Sequence, residues 1–217
     1  EIQSASPAPL QHRQLDGLLP QFTGPLMQVP PMMSAVKWRG QRLYDLARQG
    51  LEVERKPRPV VIHQLRLLSF TPDPAYPQAL IECTCSAGTY IRSLAADMGK
   101  ALGCGAYLSF LLRTQSGPFT ITTSLTPKEL EAAVGSGSHG DWLQPPEHGV
   151  PHLPAIVLRP KDAVLFTHGN SIVLTLETVL AKNNTVRVHN QEGTLLGIGR
   201  LDLSDTEGRL KPEVVFN

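Results

Sequence analysis

The chain has 217 residues, room for one large domain or a medium domain followed by a small one. Hydrophobic residues make up 41% and charged residues 18%, which excludes a compositionally disordered chain, and no run of about 18 apolar residues offers a membrane-spanning helix. The 20 Lys and Arg against 19 Asp and Glu leave a formal net charge of +1, so any attraction to nucleic acid must come from local charge rather than the total.

The opening Glu1-Ile2-Gln3-Ser4 lacks a methionine, a basic region and an apolar stretch. It is not read as a signal peptide, and it looks like a beginning cut from something longer. Leu15, Leu18, Leu19 and Phe22 stand at near-helical spacing, with Pro20, Gly24 and Pro25 closing the segment. Pro30-Pro31 forces extended backbone, because each ring fixes its own φ and biases the preceding residue away from helix. Leu43, Leu46 and Ala47 then predict a short helix that ends at Gly50. Between Lys37 and Arg66 lie Lys37, Arg39, Arg42, Arg48, Arg55, Lys56, Arg58 and Arg66 against Asp45, Glu52 and Glu54. Such an excess forms either an anion-facing stripe or a solvated loop face.

Val60–Phe70 and Ala79–Ser86 read as strands, the second with Ala79, Ile81, Cys83 and Cys85 on one face and Glu82, Thr84 and Ser86 on the other. After Gly88 a helix is predicted from near Thr89, with Ile91, Leu94, Ala95, Met98 and Leu102 as its apolar stripe and Gly103 as its stop. Tyr107–Leu112 is a continuous apolar run that periodicity leaves as strand or helix. Thr126-Pro127-Lys128-Glu129 has the form of a capping box with proline in the first turn, opening a helix to about Val134. Residues 135–140 read as a Gly/Ser linker, and Pro145-Pro146 and Pro151 extend the break. The domain boundary is placed there, giving 1–145 and 150–217. Beyond Ala155 short β-rich runs, Ile172–Leu176, Val186–His189, Leu195–Ile198 and Val214–Phe216, are separated by turns such as Asn183-Asn184 and Asn190–Gly193. They suggest a small barrel-like module. The predicted class is α+β, a mixed or antiparallel sheet with helices followed by a small β-barrel.

Few chemistries fit these residues. Three cysteines, an odd and sparse count, point to a reducing compartment such as the cytoplasm, and Cys83, Cys85 and Cys104 have neither a second CxxC nor a paired His to make a zinc site. No nucleophile elbow and no phosphate-loop motif is present, and Gly103-Cys104-Gly105 ends a helix where a dinucleotide fingerprint would open one. What stands out is Ser86-Ala87-Gly88-Thr89-Tyr90-Ile91-Arg92 at a strand-to-helix junction. Unpaired N–H groups there favour an anion. Tyr90 offers a ring and a hydroxyl, and Arg92 a charged planar fork for carboxylate or phosphate. Ala95, Ala96 and Gly99 are small enough for another backbone to pack closely. The competing reading has Thr89 capping the helix and Arg92 in a surface ion pair.

Gly24-Pro-Leu-Met-Gln-Val-Pro-Pro31, Ser34-Ala-Val-Lys37, Gly40 and Tyr44-Asp-Leu-Ala-Arg-Gln-Gly50 together resemble a signature of the TruB family of tRNA pseudouridine synthases. Cys85-Ser-Ala-Gly-Thr-Tyr-Ile-Arg-Ser-Leu-Ala-Ala-Asp-Met-Gly99 resembles that family's second strong motif. Leu102–Ala106, Leu111–Thr114 and Ser116–Phe119 continue in the expected order. Residues 155–217 are similar to the PUA module that follows the catalytic domain, with Gly169 and Gly197-Ile198-Gly199 where its turns are expected.

The resemblance implies isomerisation of uridine 55 in the tRNA T-loop to pseudouridine without cofactor or metal, on a base flipped out of its stack. A catalytic aspartate attacks the nucleotide, the glycosidic bond breaks, and the uracil turns and is rejoined through carbon. The resemblance makes Arg92 the partner of that aspartate, Tyr90 a contact of the flipped nucleotide and Leu111 a wall of the uracil pocket, with Lys37 and Arg113 as further substrate contacts. Ala87 stands where many members have lysine and Leu112 where many have arginine, which lowers the positive charge offered to tRNA. The family's G-x-L-D-P-x-A-T-G segment is absent, and Asp16, in Leu15-Asp16-Gly17, reads as a helix residue rather than the nucleophile. The chain is therefore expected to be inactive alone, with tRNA as partner, an upstream half as a candidate second partner, and no membrane. The alternative is a non-catalytic RNA-binding or tRNA-folding module.

Overall fold

The computed structural model describes residues 10–137, 142–174, 184–203 and 208–216. The opening four residues, the end of the predicted linker at 138–140, the end of the predicted Ile172–Leu176 strand and Asn183 of the predicted turn lie outside the described residues. The chain divides into two compact units, Glu1–Leu111 and Leu112–Asn217. This division falls before the proline-rich break, and Phe119 packs edge-on against His148 at 5.3 Å within the second unit.

The first unit opens with α1 (His12–Leu18), which runs into a 3-10 turn at Leu19–Phe22. β1 (Gly24–Gln28) follows, then a two-residue-turn hairpin of β2 (Lys37–Trp38) and β3 (Gln41–Arg42), and α2 (Leu43–Arg48). The long β4 (Arg58–Thr71) returns as β5 (Gln78–Cys85), and α3 (Ile91–Ala101) closes the patterned part. β1, β4 and β5 form an antiparallel sheet in the order β1-β4-β5, with Gln28 opposite Arg58 and Ile62 opposite both Gly24 and Cys85. On one face Leu94 and Met98 of α3 meet Leu15, Leu18, Leu19 and Ile62, all nearly inaccessible to solvent. Each such side chain contributes about 1.5–3 kcal/mol of burial.

The apolar stripe predicted for α3 and the alternation predicted for β5 both match this packing, with Cys83 and Cys85 half-buried toward the core. The close approach expected of small residues on α3 falls at Gly99. Its carbonyl accepts from Cys104 and Gly105 N–H, and a side chain there would run into the backbone of Gly105 and Ala106. Tyr107–Leu112 is neither strand nor helix. It is irregular, and Tyr107, Phe110, Leu111 and Leu112 are all exposed.

The second unit begins with the short pair β6 (Gln115–Ser116) and β7 (Phe119–Thr120), then α4 (Pro127–Gly135). Thr126 accepts from the Glu129 N–H while Glu129 accepts from the Thr126 N–H at 2.7 Å, the predicted capping box. Beyond it come β8 (Ala155–Val157), α5 (Pro160–Thr167), β9 (Ile172–Leu174), β10 (Thr185–His189), β11 (Leu195–Leu203) and β12 (Gly208–Val215). The sheet order is β8-β10-β11-β12-β9, antiparallel except for β8 beside β10. Its core gathers Ile156, Leu158, Val186, Val188, Leu201 and Leu210 around Phe166, which is 0% exposed.

Gly169 ends α5 with a φ of 80°, a turn position as expected. Gly197 and Gly199 are not in a turn. They lie inside β11, where an added side chain would press on the Phe166 ring, at 3.0 Å for Gly197 and 3.3 Å for Gly199. The space that two strand side chains would fill is taken first by the neighbouring β12, through the Val214 carbonyl and the Leu210 side chain, and then by the aromatic ring of α5. Among the described residues no helix is long and apolar enough to cross a membrane.

The Gly99 contact makes a testable demand. Gly99→Ala is expected to destabilise the chain by about 1–3 kcal/mol through overpacking, seen as a lower urea midpoint by circular dichroism. An unchanged midpoint would show that the 104–106 turn yields freely.

Candidate functional site

The junction between β5 and α3 is built from its turn outward. Gly88, at a φ of 83°, takes a conformation that costs other residues strain. Thr89 does not cap the helix as the competing reading had it. Its hydroxyl donates to the Ser86 carbonyl at 2.9 Å, and the Ser86 hydroxyl accepts from the Val61 N–H at 2.9 Å, extending the β4 ladder past the end of β5. The helix starts two residues later, with Tyr90 as the capping position and no cap from its own side chain.

The cap comes from 62 residues away. Gln28, at the end of β1 and only 5% exposed, accepts the Tyr90 N–H at 2.7 Å and donates its amide to the Tyr90 carbonyl at 3.0 Å. That carbonyl also accepts the Leu94 N–H at 3.0 Å, the first bond of the helix. Two further bonds tie the first turn to the proline-bearing segment. Arg92 donates from Nη2 to the Met33 carbonyl at 2.9 Å, and Ser93 Oγ donates to the Val29 carbonyl at 3.4 Å. The ion pair of the competing reading is not formed. Among the described residues no carboxylate meets Arg92, and apart from the one bond to Met33 its fork is unpartnered and exposed.

Lys37 is exposed on β2. The hairpin it opens turns at Arg39 and Gly40, both with positive φ, 47° and 87°. This pairing of conformations suits a tight two-residue turn. Arg39 lies over the Trp38 ring at 4.6 Å, while Arg42 and Arg48 flank Tyr44 at 5.7 Å and 5.4 Å. α2 is seated by the preceding loop, since Leu43 and Tyr44 donate to the Val36 and Ser34 carbonyls. Leu111 is 60% exposed in the irregular stretch after α3, and Arg113 is exposed in the second unit. The structure thus ties both Tyr90 and Arg92 to residues 28–33, and no hydrogen bond or ion pair among the described residues joins Lys37 or Leu111 to them. Gln28, Ser93 and the two ring platforms were not singled out by the sequence reading, although Gln28 sits inside the Gly24–Pro31 signature. Asp16 is an exposed residue of α1.

The backbone that carries this junction matches a known architecture. The fold is that of the pseudouridine synthases. Solved structures of a Cbf5-Nop10-Gar1 complex and of an archaeal box H/ACA Nop10-Cbf5 complex align with TM-scores of 0.75 and 0.72, at 24% and 22% identity, covering 97% and 99% of this chain and 64% of each of those chains. Sequence narrows the class. Family profiles match in succession: TruB family pseudouridylate synthase (N terminal domain) over residues 1–91, tRNA pseudouridylate synthase B C-terminal domain over 92–164, and pseudouridine synthase II TruB, C-terminal, over 154–216. The tRNA pseudouridine synthase B of Moorella thermoacetica is 44% identical over 213 residues, 96% of this chain and 69% of that protein. The protein of the same name from Dehalococcoides mccartyi strain 195 is 43% identical over 198 residues, 91% of this chain and 63% of that protein. The chain belongs to the TruB family of pseudouridylate synthases. It spans about two thirds of the length of the curated relatives it matches.

The thiols under this junction are packing groups. Burial, reinforced by neighbouring Cys85, pushes the Cys83 thiol up to about 12. At pH 8 its thiolate fraction is then about 10⁻⁴, too small for appreciable alkylation. Iodoacetamide at pH 8 is expected to leave Cys83 unmodified in the folded chain and to modify it after guanidinium unfolding, read by peptide mass mapping. Rapid modification of the native protein would place that strand face in solvent.

Proposed function

We propose that these residues belong to a tRNA pseudouridine synthase that isomerises uridine 55 of the T-loop. Residues 1–145 supply the later part of its catalytic domain, and residues 150–217 a PUA-like barrel that binds RNA. The observation that carries this reading is Arg92, held by one bond to a backbone carbonyl with the rest of its fork open to an incoming acid. In the reaction the N1–C1′ bond of the nucleotide breaks and a C5–C1′ bond forms, the proton lost from C5 being balanced by one gained at N1. A nucleophilic carboxylate is needed in ionised form, and a guanidinium beside it favours that form and orients it. Tyr90 lies two residues before Arg92, within reach of the same nucleotide.

The nucleophile, on this reading, lies outside these 217 residues, since the segment that carries it in the family has no counterpart among them. The stacked guanidiniums at Trp38 and Tyr44, with Lys37, supply phosphate contacts, Leu111 lines the uracil pocket, and Arg113 is a further tRNA contact carried by the second unit. The reaction takes place in the cytoplasm with tRNA as substrate, and an upstream half, joined or separate, completes the site.

The test uses unmodified tRNA transcript carrying tritium at uridine C5. The complete gene product is expected to release tritium and the isolated 217-residue chain to release none. In the complete product, Arg92→Ala should lower kcat by about 10²–10³-fold, the scale of losing one preorganised electrostatic partner, with tRNA affinity changed much less. Turnover by the isolated chain, or near-normal kcat in the variant, would remove the assigned role of Arg92.

A further inference from the structure

The geometry of Tyr90 and Arg92 is set from outside their own helix. In a local capping box the third helical residue reaches back to the N–H of the capping position. Here that residue is Ser93, and its hydroxyl is directed to the Val29 carbonyl instead. The task passes to Gln28, whose side-chain amide meets both the N–H and the carbonyl of Tyr90, as a neighbouring peptide would. Gln28 is the last residue of β1 and is paired with Arg58. Prolines at 30 and 31 prevent the strand from continuing. The sheet therefore reaches the helix entrance through one buried side chain.

We infer that Gln28 is a positioning residue for the isomerisation, fixing the entry of α3 so that the Tyr90 ring and the Arg92 fork face the flipped nucleotide in the required register. The inference rests on the reading of the site given under Proposed function. Two features make the amide specific to this task. Both of its polar groups are used on one residue, so a carboxylate would keep the acceptor and lose the donor, and a thioether would lose both. At 5% exposure the amide is shielded from bulk water, so losing either bond leaves a backbone group of Tyr90 short of a partner. Rotation of the helix entrance moves Tyr90 and Arg92 together, and displacements well under a bond length matter for reacting groups.

The experiment compares single-turnover rates, with enzyme in excess over tRNA, for the complete gene product and its Gln28→Met, Gln28→Glu and Leu15→Ala variants. All are assayed below the lowest melting temperature of the set, with tRNA Kd measured by filter binding. Leu15 packs in the core of the first unit with Leu94 and Met98 of α3 and has no hydrogen bond to Gln28, Tyr90 or Arg92, so Leu15→Ala controls for lost stability and packing beneath the helix with the Gln28 bonds left intact. Gln28→Met is expected to slow the chemical step by about 10–100-fold while Kd stays within about 3-fold. Gln28→Glu, keeping the acceptor for the Tyr90 N–H, should fall between, and Leu15→Ala should keep its rate within about 2-fold at a comparable loss of melting temperature. Should Gln28→Met fail to fold, Gln28→Glu carries the comparison with the control. An active parent whose Gln28 variants keep full rate overturns this inference alone, and so does a Leu15→Ala control slowed as much as they are. A parent that forms no pseudouridine overturns the reading of the site, and this inference with it.

Discussion

One buried side-chain amide couples the sheet to the helix that carries the site. Placing an amide out of contact with water is unfavourable unless every polar group finds a partner. Gln28 meets that condition on a single residue, donating to and accepting from the Tyr90 backbone. The same bonds solve a second problem. The N–H at a helix entrance has no intrahelical partner, and Tyr90 brings no cap of its own. Two deficits, one on a strand end and one on a helix start, cancel each other, and the direction of α3 follows.

The proline pair makes the rest of the arrangement necessary. Pro30 and Pro31 cannot donate to a ladder, so the carbonyls around them have no strand to answer them. Side chains do so instead: Ser93 at Val29, Arg55 at Pro30 and Arg92 at Met33. A segment that is irregular by composition is thereby held from two elements, and its sequel seats α2 through the Ser34 and Val36 carbonyls. Arg92 thus contributes to the fold with one N–H group, and the remainder of its fork stays unpaired among the described residues.

Much of this was legible where the signal was local. The alternation of β5, the stripe of α3 and the Thr126 capping box are periodic or adjacent patterns, and the structure follows them. The β2–β3 hairpin escaped because its turn is Arg-Gly, with Arg39 at positive φ, where Asn-Gly or Asp-Gly would have announced it. β11 was read too short and its glycines as turns, because a strand interior that uses Gly197 and Gly199 to admit Phe166 looks locally like a break. α5 carries two local start markers, Pro160 at its first position and Asp162 in its first turn, but has no side-chain cap to set it apart from the β-rich runs around it. For the site, Tyr90 and Arg92 stood out from motif and charge, whereas Gln28 did not, since a bond spanning 62 residues leaves no trace in any short window.

Charge counted along the chain also overstates what a nucleic acid can meet. Of the eight cations between Lys37 and Arg66, Arg55 is paired with Glu52 at 2.9 Å and Arg66 with Glu82 at 3.3 Å. Those two are largely neutralised where they stand. Arg39, Arg42 and Arg48 are treated differently, laid on Trp38 and Tyr44, and Arg42 also donates to the Tyr44 hydroxyl at 2.8 Å. An aromatic face holds a guanidinium without taking its charge, so its N–H edge stays available to a phosphate. The positive surface left unpaired is therefore the hairpin, both ends of α2, and exposed Lys56 and Arg58, not all eight cations. This matters more in a chain with a net charge of only +1. With little long-range attraction, affinity for a polyanion has to come from a few pre-aimed groups, and the rings of Trp38 and Tyr44 do that aiming.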